Sequence, residues 1–178
     1  MRTIALALSA LALALAPAFA AESPEPPISN PSALVNDASA EQMAEMLREL
    51  GAQQVEVREA EGSKVVGFMD ANIPYNVGFG LCDVRPGKCL AMTILVIVNM
   101  GTSASPPLET INTLNSSMFV TVVKIDANRF AVGRVLLVDG GVTKKNLAIN
   151  VGSFVLTFNA VMQKLSNQVV AALRPGTA

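Results

Sequence analysis

Residues 118–138 read MFVTVVKI, then DAN, then RFAVGRVLLV. Two runs rich in β-branched residues flank Asp126-Ala127-Asn128, whose short polar side chains bond back onto the chain and tolerate left-handed backbone. This is a β-hairpin pattern, with strands expected over 118–125 and 129–138. Just upstream, Ser105-Pro106-Pro107 opens a short helix, with Pro in the first turn where its missing N–H costs nothing. Leu108, Ile111 and Leu114 share one face of that helix. Downstream, Asp139-Gly140-Gly141 ends the hairpin. Thr143 then caps a long helix whose apolar stripe includes Leu147, Phe154, Phe158 and Leu165 and stops before Pro175-Gly176.

The N-terminal half has the same pattern. Ser39 followed by Gln42 is a capping-box start for a helix over 40–50, with Met43, Met46, Leu47 and Leu50 on one face and Gly51 as the stop. Strand-like runs follow around Val55 and Val57 and from Val65 to Phe68, with turns at 61–63 and 70–72. IPYNVGFGL (73–81) and CLAMTILVIV (89–98) come next. The last run lacks apolar–polar alternation, so it is expected to be a central strand covered on both faces. Strands joined by short turns and flanked by helices define an α+β domain. The expected fold is an antiparallel sheet of five to six strands with an N-terminal helix, a short middle helix and a long C-terminal helix.

The chain has 178 residues, 13 Lys and Arg against 14 Asp and Glu, no His, no Trp and two Cys. That length suits one domain with a real core. A net charge of −1 provides no basic field for phosphates, so nucleic acid is not an expected partner. The absence of His removes the commonest general base and metal ligand. Two Cys cannot close a structural zinc site. Ser63-Lys64 and Lys144-Lys145 read as solvated surface, as do the i,i+4 carboxylates Glu41, Glu45 and Glu49. No glycine cluster forms a phosphate loop. The Asp-Ala-Asn triplets at 70–72 and 126–128 offer one carboxylate each, far from the six or more oxygens that calcium takes. No catalytic residue, cofactor or metal site is expected, and the chain is read as not an enzyme.

Arg2, the apolar run over residues 4–16 and Ala18-Phe19-Ala20 have the layout of a secretory signal over 1–20. The alternative, an uncleaved anchor, wants about 20 apolar residues. No later run reaches spanning length, so no membrane span is expected after cleavage. Residues 21–37 carry Pro24, Pro26, Pro27 and Pro31 and read as a flexible leader, or else as a Pro-rich recognition peptide. The domain is expected over 38–174. Cys82 and Cys89 flank an Arg85-Pro86-Gly87 turn between adjacent strands, which favours a disulfide in an exported chain, with a redox pair as the alternative.

From residue 40 onward the chain resembles the YbjN family of bacterial proteins. The resemblance rests on LRELGAQQVEV (47–57), the strand pair joined through Cys82 and Cys89, ETINTLNSSMFVTVVKID (109–126) and VLLVDGGVTKKNLAINVGSF (135–154). Asn112, Asn115 and Phe119 match the family's central motif, and Gly140 and Gly141 its turn before the last helix. Leu114 and Met118 stand where the family has an aromatic and a basic residue. The resemblance implies a fold similar to type III secretion chaperones and a regulatory label without an established activity. It also implies a homodimer or partner face on the middle helix, at Leu108, Ile111 and Leu114. The functional expectation is a noncatalytic protein-interaction module of the bacterial cell envelope, periplasmic or secreted, binding an unidentified protein at a sheet edge or a sheet–helix groove. The alternative is a carrier of a small apolar ligand held between the sheet and the last helix.

Overall fold

The structure, a computed structural model, describes residues 27–84, 88–103 and 105–173, with side chains as far as residue 166. The expected signal segment and the expected domain end at 174 lie outside the described residues. The elements in chain order are β1 (Leu34–Val35), α1 (Ala40–Glu49), β2 (Gln53–Ala60), β3 (Ser63–Asp70), β4 (Ile73–Gly80), β5 (Ala91–Asn99), α2 (Leu108–Ser117), β6 (Thr121–Lys124), β7 (Arg129–Leu137), β8 (Val142–Thr143) and α3 (Lys144–Leu173). Six strands form one antiparallel sheet in the order β2-β3-β4-β5-β7-β6, and β1 pairs with β8 alone. The α+β expectation, three helices with an antiparallel sheet of five to six strands, is met among the described residues by α1–α3 and the six-stranded sheet.

Local chemistry accounts for most element ends. The Ser39 side chain accepts from the Gln42 N–H and caps α1. Thr143 Oγ1 accepts from Asn146 N–H at the start of α3. The two Asp-Ala-Asn turns differ in kind. Ala71 and Asn72 are both left-handed, whereas Asp126 Oδ1 accepts from the N–H groups of Asn128 and Arg129.

The core lies between the helices and one face of the sheet. Val66, Tyr75, Val77, Ile94, Phe130 and Val132 from the strands join Met43, Leu47, Phe154 and Phe158 from α1 and α3, all buried. Tyr75 stacks on Phe68, centroids 4.9 Å apart, and meets Phe154 and Phe158 edge-on. Tyr75 Oη is buried without a hydrogen-bond partner.

Three expectations are corrected. First, β5 is central but covered on one face only. Met92, Ile94 and Val96 are buried, while Thr93 and Leu95 are half-buried and Ile97 is 50% exposed. Its missing alternation comes from apolar residues on the open face, not from a second covering layer. Second, the flexible leader does not extend to residue 37. Ile28 is buried, Lys144 N–H and Lys145 N–H donate to the carbonyls of Ala33 and Pro31, and β1 pairs with β8. Ser29 and Lys144 both bind the Glu49 carboxylate, so residues 28–37 form a strap tied to α1 and α3. Third, the expected strand over 118–125 begins only at Thr121; it runs to Lys124, and Ile125 N–H still donates to Arg129 O.

Candidate functional site

The short β6 leaves part of the sheet edge bare. Its register with β7 runs from Thr121↔Gly133 to Lys124↔Phe130, so it covers four of the nine residues of β7. In an antiparallel ladder, successive residues direct their backbone groups to opposite neighbours. Val138 N–H donates to Leu90 O, which fixes Val138, Leu136 and Arg134 as the residues bonded toward β5. The N–H and C=O groups of Val135 and Leu137 therefore point away from β5, beyond the end of β6. No described group pairs with them.

Two interactions shape the start of β6. Met118 N–H donates to Leu114 O and closes α2, so residues 118–120 make the corner. Asn115, in the last turn of α2, then clamps the strand: its Oδ1 accepts from Val122 N–H at 2.6 Å and its Nδ2 donates to Val122 O at 3.1 Å. The clamp satisfies the outward backbone groups of Val122 and closes that stretch of edge. The opposite edge, β2, is protected by a bulge between Gln53 and Glu56 and by Glu56, Arg58 and Glu59.

A groove runs along the bare stretch of β7. A cavity of about 730 Å³ lies between Phe119 and Val120 at the corner, Arg134 and Val135 on β7, and Asn150 and Ser153 on α3. A second, of about 310 Å³, continues along residues 135–138 to Val142 and Leu147. Phe119 is 91% exposed at the rim, and Val135 and Leu137 are 60% and 64% exposed on the open face.

Arg134 stands where the groove meets the corner. It occupies the inward register of β7 with Phe130, Val132 and Leu136, so its guanidinium turns under α3. Nε donates to Phe119 O at 2.8 Å and Nη1 to Ser153 Oγ at 2.6 Å. Longer contacts run from Nη1 to Asn150 O (3.5 Å) and from Nη2 to Thr157 Oγ1 (3.4 Å). Cζ lies 5.9 Å from the Phe154 ring centroid. All four acceptors are neutral, and no described carboxylate lies within ion-pair distance. Burial pushes the guanidinium below its ordinary pKa. It remains charged and under-compensated.

The residues singled out in the sequence fall unevenly around this site. Ile111 and Leu114 are 4% and 1% exposed and belong to the core, leaving only Leu108 outside. The expected partner or dimer face on α2 is thus consumed by the protein's own sheet. Asn112 is exposed on α2. Phe119 lies on the groove rim and Asn115 determines where the groove begins. Gly140 and Gly141 are left-handed, and a Cβ on Gly141 would collide with Asn36 Oδ1 of the strap. Cys82 and Cys89 form a disulfide just past the ends of β4 and β5. Between the sheet and α3, where a small apolar ligand was the alternative expectation, Tyr75, Phe154, Phe158 and Val161 fill the centre, and a cavity of about 430 Å³ remains beside them, lined by Leu47, Phe68, Ile149, Val155 and Leu156. Arg134, Val135 and Leu137 were missed from sequence. The available signal was a charge at an inward position of an otherwise apolar strand.

Lys64 pairs with Glu41, 2.5 Å apart, and holds its carboxyl below the usual range by hydrogen bonding. Among the described residues no group of three His, Cys, Asp or Glu could hold a metal, and no helix is long and apolar enough to cross a membrane.

No family profile matches the sequence, and no curated protein matches it. Solved structures do match the fold. A crystal structure of YbjN from E. coli, described as a proposed transcription regulator, aligns at TM-score 0.56 and 16% identity, covering 76% of this chain and 96% of that one. An uncharacterized protein from Methanothermobacter thermautotrophicus aligns at TM-score 0.54 and 13% identity, covering 74% of this chain and 99% of that one. At these identities the likeness establishes a YbjN-like fold.

Proposed function

We propose that this chain is a noncatalytic protein-interaction module, exported to the bacterial cell envelope, that takes an extended segment of a partner protein as an added strand beside β7. The carrying observation is the unpaired backbone of Val135 and Leu137, open to a groove, on an edge whose neighbouring stretch is closed by Asn115. Two donors and two acceptors on one strand edge are what strand addition uses, and the flanking exposed side chains of Phe119, Val135 and Leu137 give alternate residues of the guest an apolar surface. Export rests on the signal-like pattern of residues 1–20, and the Cys82–Cys89 bridge suits an oxidising compartment. The YbjN structure's description as a regulator is compatible with a role exercised through binding.

Val135→Pro tests this reading. Its N–H faces the groove rather than β5, so proline removes a guest-binding donor from an edge position that tolerates it. A photo-crosslinking residue at Leu137 should capture a polypeptide in envelope extract, and Val135→Pro should abolish that product. The same probe at Leu156, exposed on α3, should not capture it. Equal capture from both positions, or capture indifferent to the proline, refutes strand addition.

A further inference from the structure

We infer that the groove beside β7 recognises a polypeptide C-terminus, with Arg134 receiving the terminal carboxylate. The inference deepens the strand-addition reading and rests on it.

A guest antiparallel to β7 lies in line with β6 and runs the same way, passing Leu137, then Val135, toward Arg134. There the line is already occupied: Val120 and Thr121 enter β6 opposite Gly133. A guest strand cannot continue past that point, so it has to end there. A parallel guest would instead bring a cationic N-terminus to the same place.

At the closed end stands a guanidinium bound only by neutral oxygens, two of them at 3.4 and 3.5 Å, with Nη2 donor capacity to spare. A planar fork with free donors and no ion-pair partner is matched by a carboxylate.

The last guest residue, opposite Val135, and the third from last, opposite Leu137, point to the open face beside Phe119 and the Leu137 side chain. The penultimate residue turns toward α3, near Asn150. The ligand class is therefore a C-terminal segment with apolar last and third-from-last residues, a small or polar penultimate residue and a free α-carboxylate.

The test uses two support-bound libraries of hexapeptides with apolar last and third-from-last positions, one ending in the free acid and one in the carboxamide. Wild-type protein should retain members of the acid library, and their amide counterparts should bind at least about tenfold more weakly, since charge-assisted hydrogen bonds to one carboxylate are at stake. Arg134→Gln should bring acids and amides level, and Arg134→Lys should leave an intermediate preference. Val135→Pro should abolish both. Wild-type binding of acids and amides alike, still abolished by Val135→Pro, overturns carboxylate capture and leaves strand addition standing. An acid preference that survives Val135→Pro reassigns Arg134 to a free anion and overturns the inference. No retention from either library by the wild type overturns it as well. The acid–amide comparison on the unaltered protein does not depend on any variant folding.

Discussion

Replacing Asn115 by Ala removes the clamp that ends α2 and closes the β6 edge. The structure gives two hydrogen bonds, 2.6 and 3.1 Å, to the backbone of one residue, Val122. At about 0.5–1.5 kcal/mol net each, their loss costs about 1–3 kcal/mol. The better helix propensity of Ala offsets about 0.5 kcal/mol, for a net destabilisation near 1–2 kcal/mol. With a urea m-value of about 2 kcal/mol/M, the unfolding midpoint should fall by about 0.5–1 M at unchanged slope. Asn115→Asp keeps an acceptor for Val122 N–H and loses the donor to Val122 O, so it should fall between. Hydrogen exchange supplies a site-specific readout, because the Val122 amide should lose protection in Asn115→Ala while that of Val132, bonded toward β5, keeps it. An unmoved midpoint with Val122 still protected would refute the clamp.

Three other outcomes follow from the core, the strap and the ends of the chain. Burial, with a smaller contribution from Asp70, pushes the Tyr75 phenol up to about 12. The folded state thus favours the neutral phenol, and wild-type stability should decline as pH rises from 10 toward 12, by at most about 1.4 kcal/mol per unit. Tyr75→Phe should lack that decline and, having no unsatisfied hydroxyl, should gain about 1 kcal/mol at neutral pH in the same denaturation assay. Hydrogen bonds from Lys144 and Ser29 hold Glu49 below the ordinary carboxylate value, so its contribution is present above that value and is lost as pH falls through the lowered one. Glu49→Gln should accordingly speed exchange of the Lys144 and Lys145 amides at neutral pH. Intact mass of envelope-derived protein should place the first residue at Ala21 and Cys82 and Cys89 in one bridge, and reducing that bridge should cost about 2.5 kcal/mol by loop closure.

The fold was legible where a signal is local. Ser39, Thr143 and the Asp126 turn act through neighbours within three residues, and each element they bound is present. The disulfide was legible because an Arg-Pro-Gly signal between two strand-like runs pointed to neighbouring strand ends, and Cys82 and Cys89 are bonded there. Composition misled where the deciding contact is tertiary. The apolar run from Met118 to Ile125 fits a strand throughout, but the α2 corner delays its pairing with β7 until Thr121. Leu95 and Ile97 are as apolar as their buried neighbours, so the sequence of β5 hides its open face. Pro-rich composition masked the strap, whose anchors, Ile28 and Ser29, find partners in α1 and α3 far along the chain. The stripe on α2 was legible as a stripe, but which surface covers Ile111 and Leu114 is decided by tertiary packing. The groove was invisible for a related reason: it exists only because one strand ends before its neighbour.

The central claim is that Val135 and Leu137 form an unpaired edge that a guest strand completes, and site-resolved amide exchange measures this directly. In the free protein, protection along β7 should alternate after Gly133: Arg134 and Leu136, bonded to β5, exchange slowly, while Val135 and Leu137 exchange at solvent-limited rates. Saturation with a retained C-terminal hexapeptide should slow Val135 and Leu137 and leave Arg134 and Leu136 as they were. Val135 and Leu137 already protected without peptide, or still unprotected at saturation, would contradict the account.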